Sequence, residues 1–196
     1  MRQGMYIVFV LLLAFVVACG TAEGRYDGDA IDTGGDDDGG VGDDDASGVD
    51  DDDDINPEIE NFQWVDADGN EVQLYDYLGK VVLLNTGAFW CAPCKEEAPS
   101  LQNDIWEEYG DEDFVLISLI VEDAAYNPAT PQTAADWRGE FGLDFVVCAD
   151  PDWSLRPYFE KEVIPFNLLL TRDFQIEFVT HEYDKDVLSL LIEDLL

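Results

Sequence analysis

Val81-Val82-Leu83-Leu84-Asn85-Thr86-Gly87-Ala88-Phe89-Trp90-Cys91-Ala92-Pro93-Cys94-Lys95-Glu96-Glu97 is the stretch on which the reading of this chain turns. Its apolar run at 80–85 predicts a buried strand, and residues 95–101 onward predict a helix reaching about residue 109. Two thiols therefore stand one helical turn apart at a strand-to-helix junction. At a helix N-terminus the first N–H groups lack intrahelical partners and the macrodipole is positive, so a Cys91 thiolate is stabilised there. Such a thiolate attacks disulfides. Cys94, inside the first turn, is expected to be shielded and to resolve the mixed disulfide, leaving Cys91 as the exposed attacker.

A zinc site is the first rival reading of the pair, but structural zinc draws four ligands. Beyond Cys91 and Cys94 the chain offers only Cys19, Cys148 and His181, with no second CxxC and no HxxxH. No metal and no cofactor is expected. Two structural cysteines paired by accident are the bland alternative, against which Trp90 before the pair and Pro93 inside it suit a packed redox turn. Cys148 ends an apolar run and reads as a buried thiol behaving as a small hydrophobe. His181, the lone histidine, reads as a turn or surface residue.

Outward toward the N-terminus, residues 1–18 carry one Arg and then an apolar run at 6–18, too short to span a bilayer comfortably. They read as a signal peptide. The segment ends Val16-Val17-Ala18-Cys19-Gly20, which resembles a bacterial lipobox. That resemblance implies lipidation of Cys19 as the mature N-terminus. With Gly20 rather than Asp after the cysteine, it also implies the outer membrane over inner-membrane retention. Residues 19–57 are rich in Asp and Gly and nearly free of large apolar side chains, so they read as a disordered, extended tether. Alternating Asp and Gly can offer oxygen ligands to calcium, but no EF-hand spacing is present.

Formal net charge is −36, from 45 acidic against 9 basic residues. The 14 Asp between Asp27 and Asp54 supply less than half of it, so the folded part is acidic too. Nucleic acid is excluded as a partner on these grounds.

Residues 58–196 form the expected domain. Strand alternation at 59–65, turn residues at 66–70 and a short strand at 71–74 predict a β-hairpin. Apolar runs at 81–86, 114–121 and 145–149 predict central strands, with helices at 131–141 and, interrupted at Pro157, at 152–160. Strands at 166–171 and 175–180 and an amphipathic helix through Leu188, Leu191, Ile192 and Leu195 close the chain. The fold class is α/β: a central mixed sheet flanked by helices, with an N-terminal hairpin extension.

This order, with a CxxC after the first long buried strand, resembles the thioredoxin fold. In detail, residues 58–196 resemble the TlpA/ResA-like membrane-tethered thiol-disulfide oxidoreductases. Asp68-Gly69-Asn70-Glu71-Val72 with Leu78-Gly79-Lys80 is similar to that family's N-terminal hairpin and approach to the first core strand. The run from Trp90 to Pro99 is similar to its active-site helix, and Val163-Ile164-Pro165 to the loop bearing its cis-proline. The resemblance implies that Glu97 lies near the shielded thiol and relays its proton, Asn85 standing where cytosolic thioredoxins keep an Asp. It also implies that a cis Pro165 brings the Ile164 backbone beside Cys91 to pair with an extended substrate, and that Trp90 forms an apolar rim.

Two departures bear on the substrate groove. Thr86-Gly87-Ala88-Phe89 replaces an aromatic-rich approach such as Phe-Trp-Ala-Thr, and Phe166-Asn167 replaces small residues after the proline. The expected function is an exported, membrane-tethered thiol-disulfide oxidoreductase, more a reductant than an oxidant. Its expected partners are exported protein thiols and disulfides, such as those of cytochrome maturation, and an upstream membrane electron donor. The expected place is the cell envelope, facing the periplasm or the cell surface. Three alternatives stand beside it. A peroxiredoxin-like peroxide reductase would need Thr where Ala88 stands, a copper-binding module would want CxxxC with a His, and a non-catalytic thioredoxin-fold scaffold would keep the pair as a structural disulfide.

Overall fold

A computed structural model of the chain describes residues 58–196. The expected signal peptide, the Cys19 lipidation site and the acidic tether lie outside the described residues.

Seven strands make one mixed sheet: β1 (Gln63–Asp66), β2 (Glu71–Gln73), β3 (Val81–Gly87), β4 (Phe114–Ile120), β5 (Val146–Ala149), β6 (Phe166–Leu170) and β7 (Ile176–Thr180). Their order is β2-β1-β5-β4-β3-β6-β7. β3, β4 and β5 run parallel, while the hairpin β1-β2 joins β5 antiparallel and β6-β7 joins β3 antiparallel. β3 and β4 are buried along their whole length, which is why they read as unbroken apolar runs rather than alternating ones.

The helices are α1 (Ala92–Ser100), α2 (Glu107–Tyr109), α3 (Pro131–Phe141) and α4 (Lys185–Leu195). Both parallel crossovers, β3 to β4 through α1 and β4 to β5 through α3, step the same way across the sheet. Right-handed connections therefore place α1 and α3 on the same face. Ala98 of α1, Trp137 of α3 and Leu188 and Ile192 of α4 share one buried cluster with Leu83, Leu116 and Leu169 of the sheet. The other face packs Val82, Leu84, Ile117 and Leu168 against Ile59, Leu74, Leu155 and Phe174. Segments with single 3-10 turns, Leu74–Tyr77 and Arg156–Tyr158, cover it.

The expected α/β architecture, a mixed sheet flanked by helices, is the one observed, with differences at element ends. The first strand begins at Gln63 rather than residue 59. The Glu58 N–H donates to the Phe174 carbonyl and the Tyr75 hydroxyl to the Ile59 carbonyl, so this segment lies across the sheet face instead of joining the ladder. The helix expected at 152–160 reduces to the Arg156–Tyr158 turn: Trp153 holds φ +56° ahead of it and Phe159 is extended after it, while Pro157 sits in the first turn, where its missing N–H is tolerated. After Pro99, which gives no hydrogen bond back to the preceding turn, the helix continues through a π-wound stretch, Leu101–Trp106, before α2. α3 begins as its sequence asks. Thr130 and Thr133 bond reciprocally as a capping box, Pro131 opens the first turn, and Gly142 ends the helix with φ +62°.

Candidate active site

Cys91 is the N-cap of α1, and Cys91 and Cys94 are joined as a disulfide. The Cys94 N–H points at Cys91 Sγ at 3.2 Å, which spends one of the helix's unpaired N–H groups on that sulfur. Cys91 Sγ also lies 3.7 Å from the Ile164 carbonyl oxygen. The other half of the pair faces inward: a Cβ added to Gly87 would stand 3.3 Å from Cys94 Cβ. This close approach accounts for the glycine in the unusual Thr86-Gly87-Ala88-Phe89 run.

One expectation needs correction here. Cys91 was expected to be exposed and Cys94 shielded, yet they are 3% and 4% exposed. In the disulfide state bulk exposure does not separate them, because Ile164 covers the first sulfur as Gly87 and the helix cover the second. Direction of approach distinguishes the two: Cys91 faces the loop at Ile164, and Cys94 faces the sheet.

The Ile164–Pro165 peptide bond is cis. Ile164 lines a cavity of about 280 Å³ together with Trp90, Glu122, Trp153, Phe159 and Val163. Trp90 is partly exposed, and two contacts fix its ring. Its Nε1–H donates to Glu122 Oε2 at 2.7 Å, and Tyr126 stacks on it with centroids 5.4 Å apart. Tyr126 holds φ +64° in a turn where Asp123 Oδ1 accepts the Ala125 and Asn127 N–H groups. Neither Glu122 nor Tyr126 is recognisable in the sequence as a neighbour of Trp90, since the contact joins the end of β4 to the CxxC turn.

Glu97 stands one helical turn beyond Cys94 and is 5% exposed, not solvated on the helix face. Beneath it three adjacent strands bring polar side chains into one row: Asn85 of β3 is registered opposite Ser118 of β4 and Asn167 of β6. Ser118 Oγ donates to Asn85 Oδ1 at 3.0 Å, and Asn85 Nδ2 donates to Asn167 Oδ1 at 3.0 Å and to Glu97 Oε1 at 3.3 Å. Asn167 Nδ2 completes the group by donating to Glu97 Oε1 at 2.6 Å. Glu97 Oε2 is buried without a hydrogen-bond partner. An ionised carboxylate with one bare oxygen is costly away from water. Burial accordingly pushes Glu97 from 4.5 up to about 7, against the lowering effect of Asn167. Asn85 and Asn167 are thus the acid's hydrogen-bond donors, a role the sequence assigned to neither.

Cys148 lies on β5 in the cluster of the opposite sheet face, fully buried, where desolvation first and then Asp66 and Asp150 push its thiol up to about 12. It is neither near the disulfide nor disposed to ionise. His181, read as a turn or surface residue, sits just past β7 with both ring nitrogens bonded to the segment before Pro165.

Comparison with known proteins agrees with this geometry. A family model described as the AhpC/TSA family matches residues 55–171. The thiol-disulfide oxidoreductase ResA of Bacillus thuringiensis (strain Al Hakam) is 27% identical over 136 residues, spanning 69% of this chain and 75% of the relative. Among solved structures, a DsbF homologue from Corynebacterium diphtheriae superposes with a TM-score of 0.60 at 23% identity, covering 71% of this chain and 86% of that one. A thiol:disulfide interchange protein of the thioredoxin family from Chlorobium tepidum TLS gives 0.58 at 16% identity, covering 69% and 92%. Both structures share the thioredoxin-like fold with residues 58–196.

Proposed function

From the premise that this chain belongs to the AhpC/TSA family and is a thiol-disulfide oxidoreductase of the thioredoxin fold, we propose that it works outside the cytoplasm, tethered to a membrane, as a reductant of protein disulfides. The observation that carries the chemistry is the disulfide at the N-cap of α1, with a buried acid one turn away. In the reduced protein Cys91 attacks one sulfur of a partner's disulfide, forming a mixed disulfide, and the partner's other sulfur leaves as a thiolate that takes a proton. Cys94 then loses its proton to Glu97, directly or through water, and attacks Cys91 Sγ. The partner's second sulfur leaves as a thiolate and takes the proton from Glu97 or from water, so the partner departs as a dithiol and the chain is left with the Cys91–Cys94 disulfide. An electron donor must reduce that bond again.

Glu97 suits the proton step because an acid titrating near 7 takes up and returns a proton at neutral pH with little cost either way. Trp90 and Ile164 would flank the partner's chain, with cis Pro165 ending the segment that pairs with it. Export and tethering rest on the sequence at residues 1–57: the signal-like run, Cys19 in a lipobox-like setting and the acidic spacer. Exported protein thiols and disulfides would be the partners, with the membrane reached through the lipid on Cys19.

The test is trapping. The full chain carrying Cys94→Ala is expected to hold partners as mixed disulfides on Cys91, and the unaltered chain to show a potential near the thioredoxin end, about −270 mV. Absence of exchange with any model disulfide overturns the reading. A potential near about −120 mV would make the chain an oxidant instead.

A further inference from the structure

The segment that ends at cis Pro165 is held by His181 from outside it, beside the Arg156–Glu162 ion pair. Lys161 N–H donates to His181 Nε2 at 3.2 Å, and His181 Nδ1–H donates to the Val163 carbonyl at 2.9 Å. A backbone N–H can only donate and a carbonyl can only accept, so these partners select the neutral Nδ1–H tautomer. Between those two bonds the segment folds on itself through the Val163 N–H to the Lys161 carbonyl at 2.8 Å. The imidazole also packs against Phe159 and Phe166, with centroids 5.8 and 5.3 Å away. Positions 159, 161, 163 and 166 are all tied to a single ring. Ile164, whose carbonyl faces Cys91 Sγ, lies inside that span.

The same span borders two cavities. Val163 and Ile164 line the one beside Trp90, of about 280 Å³. Pro165 and His181 line another of about 310 Å³ with Pro93, Glu96 and Glu97. A shift of this segment would alter both, together with the backbone edge offered to an extended partner.

Building on the disulfide-exchange reading above, we propose that His181 is a positioning residue for polypeptide substrates, clamping residues 161–165 in the register that pairs with a partner chain beside Cys91. Strand-like pairing draws its affinity from backbone hydrogen bonds, which need the edge held still. A small disulfide that reaches only the sulfur does not use that edge.

The experiment uses the full chain, reduced beforehand, with oxidised insulin as polypeptide disulfide and dithiobis-nitrobenzoate as small disulfide. His181→Phe keeps an aromatic ring between Phe159 and Phe166 and deletes both hydrogen bonds. It is expected to raise KM for insulin about tenfold while the rate with the small disulfide stays within about twofold. His181→Gln, which retains one donor and one acceptor, is expected to recover most of the loss. The readout is therefore the split between insulin and the small disulfide, together with its rescue by His181→Gln. An unchanged KM in His181→Phe, equal slowing with both disulfides, or a glutamine variant as impaired as the phenylalanine one overturns the proposal. A wild type inert toward both disulfides removes the enzyme reading itself.

Discussion

Cys91 and Cys94 on one face of the sheet and Cys148 on the other are buried to nearly the same degree, at 3%, 4% and 0% exposure. Their surroundings give them opposite chemistry. Cys148 lies in an apolar cluster beside Leu119, its register partner on β4, with acidic Asp66 and Asp150 opposing a negative sulfur. The pair occupies a helix N-terminus, receives an N–H, and stands one turn from an acid held by two asparagines. Burial by itself therefore says little about a thiol. What decides its reactivity is whether the groups that bury it can support the thiolate.

The comparison can be broken by experiment, beginning with the largest effect. Cys91→Ala is expected to lower insulin reduction roughly a thousandfold or more, while Cys148→Ala leaves it within about twofold. Loss of activity in the Cys148 variant at unchanged fold would end the distinction between the faces. Glu97→Gln should slow resolution of the mixed disulfide about tenfold to a hundredfold and remove an inflection near pH 7 from its profile, as rapid-quench trapping would report.

A third test concerns stability. Glu97 binds its proton more tightly folded than unfolded, so the folded state holds more protons between pH 4.5 and about 7 and stability falls as pH rises through that window. Asp150, raised from 3.8 to about 6 by burial, acts in the same sense over a lower range. Urea unfolding should show Glu97→Gln to be the more stable form at pH 8 by about 3 kcal/mol, the difference vanishing toward pH 4.5. Smallest of all, Cys148→Ala should cost about 1 kcal/mol through a small unfilled volume, and native alkylation should label reduced Cys91 while sparing Cys148.

How much was legible beforehand varied with the range of the interaction. β3 and β4 stood out because continuous apolar runs are local signals, and α3 was placed at the bounds it occupies. The segment at 152–160 misled, since a left-handed Trp153 and an extended Phe159 confine its helix to one turn. At the site, the CxxC pair could be picked out from its spacing, and the Val163-Ile164-Pro165 loop and Glu97 through the family resemblance. The bonds of His181 could not, because they depend on the pairing of β6 with β7, which carries position 181 back beside position 161.

By itself the amino-acid order determined the redox pair, its seat at a strand-to-helix junction and the alternation of strands and helices, for these follow from spacing and periodicity within a few residues. Only the tertiary structure decided which groups surround the sulfurs. The register of β3 against β4 and β6 assembled Asn85, Ser118 and Asn167 beneath Glu97, and strand order sent Cys148 to the opposite face. Acidity and hydrogen bonding depend on neighbours distant in the chain, and those neighbours exist only once the sheet has formed.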